Sequence, residues 1–160
     1  FNGVETSGMI TEVEAYRGDI DESCHCYNSR TPRNEVMFWR AGHCYVYFIY
    51  GMYHCLNVVT EKEDFGAAVL IRGISPLDGV STMKRRRKGA KQLSDGPGKL
   101  CQALGITKTL SGEDFHTSEK IQLHKYKTFE DSEVGISERI GISKSVEFPW
   151  RFYLKEFVSK

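Results

Sequence analysis

The sequence predicts an α+β fold: a single domain with a curved, mainly antiparallel, open-barrel-like β-sheet, short helices and one protruding β-hairpin. Three observations lead there. Tyr45-Val46-Tyr47-Phe48-Ile49-Tyr50-Gly51-Met52-Tyr53 packs five aromatics into nine residues of a chain that is 12% aromatic, and it alternates ring with aliphatic as a strand does. Gly51 interrupts the run and Cys55-Leu56-Asn57-Val58-Val59 resumes it, which is a hairpin signal. Helical patterning is confined to short pieces, chiefly Leu100-Cys101-Gln102-Ala103-Leu104, held between a glycine-rich turn and Gly105.

At 160 residues and 18.3 kDa the chain is one domain, able to bury a sizeable core. With 40% hydrophobic and 27% charged residues it has the composition of a soluble globular protein, and no apolar run approaches membrane-spanning length. The chain does not begin with Met, so any leader would lie upstream; it starts inside or just before a strand. The net charge of +1 carries no nucleic-acid signal, but Lys84, Arg85, Arg86, Arg87, Lys88 and Lys91 form an acid-free basic block. Such a block is a solvated face unless it borders a binding surface. Five cysteines is an odd number without a disulfide spacing, which points to a reducing compartment. Cys24-His25-Cys26, His43-Cys44 and His54-Cys55 suggest zinc, but no Cys-x-x-Cys pair accompanies them.

Residues 9–16 read as the first clear strand, with Glu12, Glu14 and Tyr16 on one face. Burying two carboxylates with no cation nearby in sequence is expensive, so that face should look into a wet cleft or outward. It is either a solvated edge or the seat of a catalytic acid or base. Residues 17–30 form a polar loop containing His25. Thr31-Pro32 reads as a helix N-cap followed by proline at the first helical position. Gly42 ends that element. The hairpin register is open: a two-residue loop, Gly51-Met52, puts Tyr47 and Asn57 on opposite faces, whereas a three-residue loop or a bulge pairs them on one face. The tip crowds Tyr50, Met52 and Tyr53 where polar turn residues are the norm. Residues 61–64 form a charged turn. The apolar strand 66–73 ends at Arg72-Gly73, an arginine that either emerges at the surface or is delivered to a site. A turn at 75–79 leads to a short helix over 80–88. Gly96-Pro97-Gly98-Lys99 could offer helix N-terminal amides to a phosphate, but lacks the glycine spacing of a nucleotide-binding loop. Residues 121–124, 139–142 and 150–154 are short strand candidates.

Taken together, these stretches resemble the alkyladenine (3-methyladenine) DNA glycosylase family. The resemblance runs through Thr11-Glu12-Val13-Glu14-Ala15-Tyr16, His25, Thr31-Pro32-Arg33-Asn34, the aromatic hairpin, Asn57 and Val69-Leu70-Ile71-Arg72. It resumes at Gly96-Pro97-Gly98-Lys99-Leu100-Cys101-Gln102-Ala103-Leu104 and at Arg151-Phe152-Tyr153, in order over nearly the whole chain. It implies a monofunctional hydrolase of base excision repair, without cofactor or metal, acting as a monomer on double-stranded DNA. Its expected substrates are alkylated or deaminated purines: 3-methyladenine, 7-methylguanine, hypoxanthine and ethenoadenine. It implies Glu14 as general base and Arg72 as its partner on the attacking water. Tyr16, Tyr47 and His25 would hold the flipped base, with Leu70 lining the site, the carbonyl of Ile140 near the water, and Asn57 excluding guanine. Tyr50 would be the wedge in the minor groove, braced by Met52 and Tyr53, with Arg33 and Lys99 on the DNA. The protein would be intracellular, nuclear in a eukaryote and cytoplasmic in a bacterium. The family domain usually has a helix and a strand before the point where residues 1–160 begin, so the resemblance implies that this segment is lacking. A second reading is a non-catalytic nucleic-acid-binding β-domain using the same aromatics as a stacking platform. It explains the tyrosines and the basic block, but not why Glu14, Arg72 and Asn57 accompany them.

Overall fold

One sheet carries the molecule. The computed structural model describes residues 4–158, so the strand expected at the chain start lies partly outside the described residues. Six strands, β1 (Gly8–Arg17), β2 (Cys44–Ile49), β3 (Tyr53–Val59), β4 (Ala67–Pro76), β5 (Val134–Ser137) and β6 (Arg151–Leu154), pair antiparallel in the order β2-β3-β4-β1-β6-β5. The sheet does not close, because β2 and β5 remain its edges. Two helices, α1 (Val80–Arg86) and α2 (Pro97–Leu104), and three short 3₁₀ segments complete the fold.

Alternation along the strands divides the sheet into two faces. On one, Cys44, Val46, Leu56, Ile71 and Ile74 pack with Leu100 and Cys101 of α2. Leu100 and Met83 are fully buried, and burying such a side chain stabilises by about 1.5–3 kcal/mol. The other face carries Tyr16, Tyr45 and Tyr47 against a smaller cluster that includes Cys24, Cys26 and Met37. The exposed edge of β2 is covered where Gly112 N–H donates to Cys44 O (2.7 Å) and Cys44 N–H to Glu113 O (2.8 Å), which protects it from pairing with another chain.

Several elements differ from expectation for identifiable reasons. Thr31-Pro32 opens a turn, and the 3₁₀ segment begins only at Glu35–Phe38. The Asn34 side chain accepts from Thr31 N–H (2.6 Å), so Asn34 tethers the turn and Thr31 does not cap a helix. β4 runs on to Pro76 because Gly8 of β1 pairs with it, which places Arg72 inside the strand. Of the three late strand candidates only the last forms, as β6, while β5 falls between the other two, at Val134–Ser137. Hydrogen bonds to Arg139 hold residues 139–145 as a loop. Arg86 and Arg87 of the basic block bond Ala103 O and Gln102 Oε1, tying α1 to α2.

Candidate active site

The hairpin register decides what shares a face. Ile49 pairs with Tyr53, Tyr47 with Cys55 and Tyr45 with Asn57, leaving the three-residue loop Tyr50-Gly51-Met52. Tyr50 and Gly51 both take positive φ (54° and 67°) and Met52 N–H donates to Ile49 O, the geometry of a primed turn. Tyr47 and Asn57 therefore lie on one face, as the odd loop requires. They are not direct partners, because the loop lies one residue earlier than the pairing of Tyr47 with Asn57 would need. Asn57 pairs with Leu70 of β4, and Leu70 with Glu14 of β1. Directly opposed residues point the same way, so the pairings carry Tyr47, Asn57, Leu70, Arg72, Glu14 and Tyr16 onto one face.

That face lines a cavity of about 490 Å³, within the range of small-molecule sites. Tyr16, His25, Tyr47, Asn57, Leu70 and Arg72 border it, with Ile140 from the loop and Lys99 from α2 at the rim. Tyr50 and Tyr53 also reach it, although Tyr50 is 79% exposed. Met52 stands exposed at the tip and Arg33 exposed beside His25, neither on the cavity wall. Lys99 is engaged, bonding Gln92 Oε1 (2.9 Å) and Asp95 Oδ1 (3.2 Å). Tyr53 is fixed from behind by α2: a Cβ on Gly98 would fall 2.8 Å from its ring, so only glycine permits that approach.

Glu14 lies beneath the cavity floor, 0% exposed. It accepts three bonds: from Ile140 N–H (2.7 Å), the Tyr16 hydroxyl (2.9 Å) and Arg72 Nη1 (3.3 Å). Arg72 is held in turn by Glu12, whose Oε1 also accepts from Arg151 Nε. That face does look into a cleft, but Glu12 and Glu14 themselves are buried, and the premise that no cation lies near them is corrected. The compensating cations come from β4 and β6, distant in sequence, and a paired, hydrogen-bonded carboxylate can be buried. Glu12, Arg151 and Arg139 carry no short-range mark of this role; only the alternation in β1 points toward Glu12.

Burial sets the ionisation of the aromatic groups around the cavity. Burial first, then the Glu14 charge and its hydrogen bond, push the Tyr16 hydroxyl above the ordinary phenol range, so it remains a donor to Glu14. Burial does the same to Tyr47 and pushes Tyr45 up to about 12. Desolvation, then the charge of Arg33, holds His25 below the ordinary imidazole range. Its ring meets Tyr47 edge-on at 4.4 Å and shares a 3.2 Å hydrogen bond with the Tyr45 hydroxyl. Asn34 Nδ2 donates to the His25 carbonyl (2.8 Å), which is how the Thr31–Asn34 turn positions this histidine. Cys24 and Cys26 turn away into the core, their sulfurs 3.1 Å apart. Among the described residues no group of three or more His, Cys, Asp or Glu converges to hold a metal ion.

Comparison with known proteins defines the class. Residues 1–157 match the family model described as methylpurine-DNA glycosylase (MPG). A relative from Alkaliphilus oremlandii is 43% identical over 175 residues, covering 99% of this chain and 85% of its own. One from Clostridium perfringens is 45% identical over 176 residues, covering 99% and 86%. One from Prosthecochloris aestuarii is 44% identical over 157 residues, covering 96% and 75%. All three bear the name "Putative 3-methyladenine DNA glycosylase". The class is that of the DNA glycosylases, repair enzymes that hydrolyse N-glycosidic bonds. The chain belongs to the methylpurine-DNA glycosylase family. These relatives are bacterial, and no helix among the described residues is long and apolar enough to cross a membrane.

Proposed function

We propose that the protein is a monofunctional, base-flipping glycosylase that removes alkylated and deaminated purines from double-stranded DNA: 3-methyladenine, 7-methylguanine, hypoxanthine and ethenoadenine. The observation that carries this reading is Glu14, a fully buried carboxylate with three donors directly beneath an aromatic cavity. A stacking platform has no use for such a group, which tells against the binding-domain reading.

A target base cannot be reached inside the duplex, so it is extruded at a cost of about a few kcal/mol. Tyr50 fills the gap as a wedge. The base lies between Tyr16 and Tyr47 with His25 at its edge, and stacking of this kind is worth about 1–3 kcal/mol per base. Neutral His25 does not repel a cationic alkylated purine. Two backbone carbonyls, of Tyr45 and Cys55, fix the Asn57 amide, which therefore stands rigidly against the 2-amino group of guanine. Glu14 takes a proton from a water that attacks C1′. The glycosidic bond breaks and the base leaves with the bonding pair. An alkylated purine cation leaves neutral and needs no acid, whereas hypoxanthine and ethenoadenine leave with the bonding pair as anions that take a proton from solvent water. The oxocarbenium-like transition state is stabilised by the carboxylate, while Arg72 orients the water and a nearby phosphate. General base catalysis contributes about 10²–10⁴-fold.

The test is product analysis on a duplex carrying one ethenoadenine or 7-methylguanine. Free base, with a strand that breaks only after alkali, is the expected outcome. Breakage without alkali would contradict the monofunctional assignment, and absence of free base would contradict the hydrolase itself.

A further inference from the structure

Arg139 and Asp21 form a completely buried ion pair, with both side chains 0% exposed. The pair is bidentate: Arg139 Nη1 and Nη2 donate to the two Asp21 oxygens, Nη2 at 2.8 Å. The same guanidinium donates to Ala15 O on β1 (3.0 Å) and to Ser145 O in the loop (3.1 Å). It lies 4.6 Å from the centre of the Tyr16 ring and 5.3 Å from that of Trp150. Its Nε is buried and has no partner.

Stability alone does not account for this arrangement. A buried ion pair can often be replaced by apolar side chains without loss, so its presence is poor support for a purely stabilising role. Position is more telling. Arg139 directly precedes Ile140, whose N–H is the shortest of the three donors to Glu14. Ala15, which receives one of its bonds, directly follows Glu14. Tyr16, the next residue, lies against its guanidinium and donates to Glu14. One buried cation thus fixes two of the three groups that hold the carboxylate, and ties the loop to the strand that carries it.

We infer that Arg139, anchored by Asp21, is a positioning residue for excision: it sets the Ile140 N–H and the Tyr16 hydroxyl on Glu14. This rests on Glu14 being the general base. Neither Arg139 nor Asp21 itself lines the cavity or, on this reading, meets the DNA, so loss of the pair acts on the chemical step and leaves duplex affinity intact.

The test uses Arg139→Lys, which keeps the charge but loses the fork, and Asp21→Asn, which keeps the shape and remains available should the lysine variant fail to fold. Single-turnover excision from an ethenoadenine duplex is measured beside duplex affinity, and the Ile140 amide is followed by nitrogen–proton correlation spectra. A displacement of about an ångström at a catalytic group costs about 10²-fold. Arg139→Lys is therefore expected to lower excision by about that factor with affinity within about threefold. The Ile140 amide proton, which donates to Glu14 in the parent, should move upfield, and Glu14→Gln should move it the same way. Asp21→Asn should fall between parent and Arg139→Lys in both rate and amide shift. Excision at the parent rate in either folded variant, or parallel losses in excision and affinity, would overturn the inference. Full excision by Glu14→Gln would overturn the general-base reading itself, whatever Arg139 does.

Discussion

Tyr50 combines a strained backbone with an exposed ring, so replacing it should separate stability from function. Its φ of 54° places a bulky residue in the left-handed region, which costs about 1–2 kcal/mol for a residue with a Cβ. At 79% exposure, its ring adds little to the core. Tyr50→Gly relieves the strain and returns about 0.5–1 kcal/mol through the greater freedom of the unfolded chain. The net change is about 0 to +1.5 kcal/mol, so Tm should stay constant or rise by about 2–4 °C per kcal/mol gained. Function should move the other way. Losing a wedge worth about 1–3 kcal/mol of stacking lowers excision by about 5- to 150-fold. The assay is single-turnover release of ethenoadenine, whose fluorescence also reports its stacking before cleavage, alongside calorimetry on the free protein. Parent-level excision by Tyr50→Gly would refute the wedge, and a Tm several degrees below the parent would refute the strain argument.

Three other outcomes follow from the same geometry. Glu12→Gln leaves Arg72 and Arg151 short of a carboxylate; both keep only 12–14% side-chain exposure. It should cost about 3 kcal/mol by urea titration at unchanged slope, the low end for breaking a buried pair. Gly98→Ala drives a methyl group into the Tyr53 ring at 2.8 Å, and should cost about 1–3 kcal/mol by calorimetry while weakening duplex binding. For His25, the folded value lies below the unfolded value near 6.5. The unfolded chain therefore takes the proton first, and the contribution is complete above about pH 6.5 and lost as pH falls through the folded value. His25 keeps an open side to solvent, so the slope is small. It should flatten in His25→Gln when urea midpoints are followed from pH 7.5 to 5.

Local patterning made much of this site readable. Alternation in residues 9–16 and 45–59 put the two glutamates, Tyr16, Tyr47 and Asn57 on strands, and the crowded tip marked the hairpin as unusual. The parts that escaped are set by distance. Asp21 and Arg139 are 118 residues apart, and no local pattern pairs them. Glu12 meets Arg151 across 139 residues, so its burial contradicts a rule that saw only neighbouring charges. β5 is four residues long and contains Gly135, too weak a signal to outrank its surroundings. At Thr31-Pro32 the composition favoured a helix start, but the Asn34 side chain accepts from Thr31 N–H and donates to the His25 and Ser29 carbonyls, which holds a turn instead.

The most direct single test is excision by Glu14→Gln on a duplex carrying one ethenoadenine, under single-turnover conditions and beside duplex affinity. Glutamine preserves the shape of the floor but cannot accept the proton from water. Loss of excision by about 10²-fold or more, with affinity retained, is the predicted result. Excision near the parent rate would contradict it and remove Glu14 from the chemistry.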